Sequence, residues 1–193
     1  SWIGADTAAD VKGITDWRGP SDLSFSCVTM WDEENFYCMS IVTDDIMSVI
    51  YSPQTSEYMW KGDGIQFALD DRDYSYAMTI DSFTEMGLGQ VPGTGDVVYR
   101  FKSLYSIPAN QEVKNAQLKI SRQDKYTIYE CAIPWSEIFD ADFAPKANQK
   151  LRFSVLVNDN DGAGRRGWIE YTSGIGTKKQ ADLFGSLKLV KNK

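Results

Sequence analysis

Histidine does not occur in this chain of 193 residues. Its absence removes the commonest general base, the usual zinc ligand and the Ser-His-Asp triad. Carboxylate-only hydrolysis stays formally open. No apolar run approaches the ~20 residues of a membrane-spanning helix. A basic excess is missing too: 20 Lys and Arg stand against 27 Asp and Glu, a net charge of -7. That balance disfavours nucleic acid, which needs a basic stripe, and suits a bound divalent cation or a neutral ligand. Cysteine is scarce and odd in number, at 27, 38 and 131, without metal-type spacing. A turn at residues 32–35 would pair Thr29 with Cys38 and Cys27 with Ser40. The two sulfurs would then sit diagonally on one face, which disfavours a disulfide. All three cysteines are expected as buried thiols acting as small hydrophobes. The first residue is not Met and no signal peptide is visible, so the chain reads as an excised or processed domain.

What is present is a core. The chain is 42% hydrophobic and 13% aromatic, too apolar for disorder. Its dominant period is two. Phe25, Cys27, Thr29 and Trp31 alternate with Ser26, Val28 and Met30, and Phe36, Cys38, Ser40 and Val42 continue that face after the turn. Strands are expected at 25–31, 36–42, 65–69, 74–82, 97–104, 116–122, 126–133, 151–158, 167–172 and 185–190. Gly, Pro, Asn and Asp clusters separate them. Residues 86–96, with four glycines and a proline, read as a long loop. Residues 1–16 read as an N-terminal strand or a linker remnant. Helix is confined to a short turn at 134–139, with Pro134 in its first turn. About ten short strands without crossover helices imply one all-β domain over 1–193: an antiparallel β-sandwich of two sheets, jelly-roll-like. Trp31, Trp135 and Phe184 are expected in its core.

Several segments follow one another in a telling order. They are Trp17-Arg18-Gly19-Pro20-Ser21-Asp22-Leu23-Ser24, Met30-Trp31-Asp32-Glu33-Glu34-Asn35-Phe36-Tyr37 and Val42-Thr43-Asp44-Asp45. Trp60-Lys61-Gly62-Asp63-Gly64-Ile65-Gln66-Phe67, Tyr129-Glu130-Cys131-Ala132-Ile133-Pro134-Trp135, Val157-Asn158-Asp159-Asn160-Asp161 and Phe184-Gly185-Ser186-Leu187 complete the series. Together they resemble the family nine carbohydrate-binding modules and their relatives, from about Trp17 to Val190. The resemblance implies a sandwich fold, glycan binding and structural calcium in loops.

Trp60 is the sharpest candidate for a ligand contact. It stands just before a strand, where a loop would present it at the sheet edge. An indole face suits the apolar C–H patch of a pyranose, with the hydroxyls bonded to polar neighbours. The resemblance gives Trp60 that stacking role. The family's second stacking aromatic should lie between Tyr171 and Phe184, but that segment has none, and Lys178 stands near the expected place. An arginine expected in the strand after Asp73 is also missing, with Ala77 near its place. The candidate carbohydrate-binding residues are therefore Trp60, Lys61, Tyr171, Lys178 and Lys179, with Tyr58 or Trp168 as other substitutes for the lost aromatic. The two lysines would pair with an acidic sugar or donate to hydroxyls, or else lie on a solvated loop. Of Arg165 and Arg166, one is expected solvated and one in an ion pair.

Carboxylates cluster at Asp44-Asp45, at Asp70-Asp71-Asp73 and at Asn158-Asp159-Asn160-Asp161. Calcium takes several hard oxygen ligands, often from turns. An EF-hand fails at 159–162, because Val157 and Trp168 would fall at ligand positions. The ligand set that suits the resemblance is Asp44, Asp45, Asn158 and Asp159.

The expected function is a noncatalytic carbohydrate-binding module of a secreted or cell-surface bacterial protein, extracellular, joined to other modules and docking on polysaccharide or oligosaccharide. Two other classes compete. One is a structural or interaction domain without ligand, favoured by the missing aromatic. The other is a b-type haem electron-transfer domain, since relatives of this sandwich hold haem with methionine and lysine ligands. Met47, Met59, Met78 and Met86 are available, though methionine is more often core filler. A carboxylate pair such as Glu130 with Asp63 would be the enzyme reading.

Overall fold

Alternating apolar residues drive strand after strand in the computed structural model, which describes residues 2–72 and 82–191. Thirteen strands occur among them. They are β1 (Ile3–Ala5), β2 (Val11–Lys12), β3 (Leu23–Trp31), β4 (Asn35–Asp44), β5 (Gly64–Asp70), β6 (Thr84–Val91) and β7 (Gly95–Lys102). β8 (Gln111–Glu112), β9 (Gln117–Gln123), β10 (Tyr126–Pro134), β11 (Lys150–Asp159), β12 (Gly167–Glu170) and β13 (Gly185–Lys188) follow. Helix among the described residues is limited to 3-10 turns at Ser56–Lys61, Trp135–Glu137 and Ala181–Leu183.

The strands form two antiparallel sheets. One runs β1-β3-β4-β10-β9 and the other β2-β12-β11-β5-β6-β7-β8, with β13 also paired to β11. β11 is long enough to serve two partners: its first half takes β13 and its last half β12. The lead-in thus supplies two edge strands, one to each sheet. The β3–β4 hairpin keeps the register read from the sequence, with Cys27 opposite Ser40 and Thr29 opposite Cys38. Its cysteines are buried free thiols, with Cys27 Sγ and Cys38 Sγ 3.4 Å apart.

Between the sheets lies the main core. Phe36 of β4 meets Phe67 of β5 and Phe153 of β11, with ring centroids 6.0 and 6.1 Å apart. Trp135 is buried against Phe36, and Phe184 is buried in a second cluster. Trp31 is not core. It ends β3 half-buried, and its indole N–H donates to the Val190 carbonyl at 2.9 Å.

The eight-stranded sheet is covered on its outer face as well. β5 is buried at all seven positions, so Gln66 and Ala68, which alternate with core residues, do not face solvent. Two covers lie on that face. Met59 of the first 3-10 turn packs with Tyr51, Val91, Val97 and Tyr99. Ile175, Ala181 and Phe184, following β12, pack on Ala68, Phe83 and Leu156. This explains a departure from the sequence reading, in which 86–96 is a loop. Residues 84–91 form β6, and Gly87 is there because the cover comes close. A Cβ at Gly87 would stand 2.6 Å from the Phe101 ring and 3.0 Å from Met59 Sδ. The strand expected at 74–82 and the Ala77 position lie outside the described residues, apart from Ser82.

Candidate functional site

A cavity of about 370 Å³ opens between the two covers, over the outer face of the eight-stranded sheet. Trp60, Phe101, Arg165, Ile175, Gly176 and Lys179 form its sides. Gln66 and Glu85 form its floor. Trp60 comes from the 3-10 turn Ser56–Lys61, which leads into β5. Because β5 is central, the indole sits over the sheet face rather than at the edge expected from the sequence.

Asn160 ties the site together. Fully buried, it uses its whole side chain. Nδ2 donates to the carbonyls of Lys61 (2.9 Å) and Ile50 (3.2 Å), while Oδ1 accepts from the N–H groups of Gly162 (2.8 Å) and Gly164 (3.1 Å). One side chain therefore fixes the end of the Trp60 turn against the loop that carries Arg165.

Arg165 is half-buried, which corrects the expectation of a solvated arginine. Its guanidinium carbon lies 4.5 Å from the Trp168 ring centroid and 5.3 Å from that of Trp60, a cation–π arrangement. Nε and Nη2 donate to Asn158 Oδ1 at 3.0 and 2.7 Å. Burial lowers its pKa to about 10. The other arginine, Arg166, is the ion-paired one, bridging Asp16, Asp159 and Asp161.

The floor is a polar row running diagonally across three strands. Asn158 Nδ2 donates to Gln66 Oε1 at 3.1 Å, and Gln66 Nε2 donates to Glu85 Oε1 at 2.8 Å. Lys179 closes the row, its ammonium 2.6 and 2.7 Å from the two Glu85 oxygens. Glu85 itself is fully buried. The row fixes the amide orientations and satisfies groups that would otherwise be costly to bury.

The residues singled out from the sequence separate here. Trp60 and Lys179 share the cavity. Lys61 does not line it; its ammonium lies 4.5 Å from the Tyr58 ring centroid and 5.4 Å from that of Trp60. Lys178 is exposed and does not line the cavity. Tyr171 also lies elsewhere: it packs against the core between the sheets, because it falls on the opposite side of the chain from Glu170. The second aromatic lining the cavity is Phe101, while Trp168 is linked to Trp60 through the Arg165 guanidinium. Gly176 lies flat on the Trp168 indole, where a Cβ would stand 2.2 Å from its ring. Arg165, Gln66 and Glu85 escaped sequence reasoning. The one available signal was the polar alternation in β5 and β11. Among the methionines, Met59 and Met86 are buried packing residues.

A second polar centre lies where the two sheets meet. Asp44 ends β4 in one sheet and Asp159 ends β11 in the other. With Asp161 they bring carboxylate oxygens within 4.8 Å of one another. Two buried oxygens, Asp159 Oδ2 and Asp161 Oδ1, have no hydrogen-bond donor. Arg166 Nη1 is 3.1 Å from Asp159 Oδ2 but not aligned to donate to it. Burial first, then mutual repulsion, raises Asp44 to about 7. Asp159 rises to about 6 despite Arg166, and neighbouring Asp63 to about 9, again chiefly through burial. Asn158 does not join this group. It adjoins Asp159 on a strand, so its side chain points to the outer face, where Arg165 and Gln66 engage it. Asp45 is drawn away by Arg18, at 2.5 Å.

Two antiparallel sheets with a tryptophan-lined cavity on one outer face define a sandwich-type binding domain. The comparisons agree. The carbohydrate family 9 binding domain-like model matches residues 1–192, and the chain belongs to that family. Endo-1,4-beta-xylanase A of Thermotoga neapolitana is 25% identical over 170 residues, 84% of this chain. The match spans only 14% of that enzyme. A family 9 carbohydrate binding module from Caldicellulosiruptor kristjanssonii, solved with cellotriose, superposes with a TM-score of 0.69 at 16% identity, covering 100% of this chain and 84% of that one. A putative carbohydrate-binding protein from Bacteroides uniformis superposes with a TM-score of 0.64 at 9% identity, covering 98% and 86%.

Proposed function

We propose that the chain is a noncatalytic module that binds a polysaccharide or oligosaccharide in the cavity beside Trp60. The observation that carries this is the half-buried indole bordering a concave site with a hydrogen-bonded polar floor. A pyranose laid on the indole would cover its apolar C–H face, while Gln66, Glu85, Lys179 and Arg165 reach its polar rim. Of the residues singled out from the sequence, Trp60 and Lys179 are the binding residues, joined by Gln66, Glu85 and Arg165. A noncatalytic role fits the lining. Among the described lining residues Glu85 is the single carboxylate, and Lys179 engages both its oxygens. Glycoside hydrolysis ordinarily needs a carboxylate pair across the bond. The family nine relative with cellotriose supports a glucan-type oligosaccharide as ligand class. The xylanase supports a setting in which the module brings an attached glycoside-active enzyme onto polysaccharide, in an extracellular or cell-surface protein.

Calcium belongs to the same reading. Asp44, Asp159 and Asp161 offer hard oxygen donors, two of them without hydrogen-bond donors, which suits a divalent cation joining the two sheets. The ion would offset the burial, and with it the mutual repulsion, that raises these carboxyls.

Isothermal titration against soluble cello-, xylo- and uronate-bearing oligosaccharides tests the assignment. Saturable binding of at least one is expected. Absence of heat with every member would remove the carbohydrate reading and favour a structural domain.

A further inference from the structure

The groups left uncommitted around the cavity are mostly donors. A guanidinium has five N–H donors and no acceptor. Two of those of Arg165 serve Asn158, which leaves three beside the cavity. The remaining neighbours of Arg165 are two indole faces, and no carboxylate pairs with it among the described residues. Lys179 keeps one N–H after its two bonds to Glu85, and its side chain is 40% exposed. The amides are locked with their oxygens already accepting. Glu85, the one lining acid, takes donors from both Gln66 and Lys179. A chain of net charge -7 has thus placed an unpaired guanidinium and a lysine at this one concavity. Lys102 lines it too, its ammonium 4.8 Å from the Phe83 ring centroid.

A neutral sugar offers hydroxyls that both donate and accept, and would leave the guanidinium without a counter-charge on closure. A carboxylate offers acceptors alone, in a plane that matches the guanidinium fork. We propose that the preferred ligand is a glycan bearing a carboxylate sugar, a hexuronate, whose carboxylate is taken by Arg165 and Lys179 while its ring lies on Trp60. This rests on the carbohydrate reading above and departs from the neutral glucan of the relative, naming an acidic class instead.

The test compares a glucuronate-bearing oligosaccharide, its neutral glucose counterpart and a sulfated counterpart, by isothermal titration at low and moderate salt. The glucuronate ligand should bind about tenfold tighter than the neutral one, as a charge-assisted bidentate contact implies. The preference should shrink with salt. Arg165→Gln removes the charge and keeps an amide donor; it should bring the acidic-to-neutral ratio near one. A second variant, Glu85→Gln with Lys179→Gln, leaves no unpaired buried acid and should also lower the ratio. Neutral sugar binding as tightly as the glucuronate would overturn the acidic class while leaving the carbohydrate function standing. An unchanged ratio in both variants would overturn the assigned residues. Equal affinity for the sulfated ligand would overturn the carboxylate assignment. No binding of any of the three, with heat from a xylo-oligosaccharide, would overturn the acidic class and leave the carbohydrate function standing.

Discussion

Replacing Asn160 with alanine should loosen the binding site more than any other single truncation outside it. The side chain makes four hydrogen bonds, to the carbonyls of Ile50 and Lys61 and to the N–H groups of Gly162 and Gly164. Each neutral bond contributes a net of about 0.5–1.5 kcal/mol, and a buried group left unpaired costs about 1–3 kcal/mol. Ile50 and Gly162 are exposed residues, so water can satisfy part of what alanine abandons. The expected loss is therefore about 2–4 kcal/mol. Urea unfolding should show it as a lower midpoint at an unchanged slope, since the amount of surface exposed on unfolding stays the same. Sugar affinity should fall as well, because the Trp60 turn and the Arg165 loop are no longer joined. A loss under about 1 kcal/mol with normal sugar affinity would show that the two segments hold their places without Asn160.

Other consequences can be checked in the same protein. Chelation should lower the melting temperature and added calcium should restore it, through preferential binding to the native state; an identical curve in both would remove the calcium assignment. In chelator, stability should fall as pH rises. Asp159 and Asp44 sit near 6 and 7 in the fold against about 3.9 unfolded. The native state therefore holds more protons across that window and loses the advantage as they leave. A melting temperature rising from pH 5 to pH 8 without metal would contradict this. Trp135→Ala should cost about 3–5 kcal/mol, as for a fully buried aromatic. Trp31→Ala should cost only about 1–3 kcal/mol, because half-buried Trp31 ends its strand; equal losses in urea unfolding would refute the distinction.

The inner half of the fold was legible in the sequence because its strands alternate cleanly. Phe25, Cys27, Phe36, Cys38 and Val42 read inward and are inward, and the hairpin register followed from the turn. The outer half was harder. Gln66 and Ala68 look like solvent-facing partners of Ile65, Phe67 and Leu69, yet two covers bury them. Those covers come from distant parts of the chain, which a period of two does not report. β6 was read as a loop because Gly87 and Gly89 carry no strand propensity; they are there so that Met59 and Phe101 can lie close. The pleat likewise sends Asn158 and Tyr171 to the opposite faces from Asp159 and Glu170. One position along a strand decides which face a side chain reaches, and composition groups neighbours that the pleat separates. For Trp31 alternation marks the right face but not how far the core extends along it, and the indole packs only at the core's margin.

The indole of Trp60 carries the binding assignment. Isothermal titration of Trp60→Ala with the tightest-binding glycan, beside a urea unfolding curve, tests it directly. The expected result is loss of detectable sugar binding with a change in stability small beside that of Trp135→Ala, because the half-buried platform gains its main contact only when the ligand is present. Normal sugar binding by the folded variant would contradict the account and place the binding surface elsewhere.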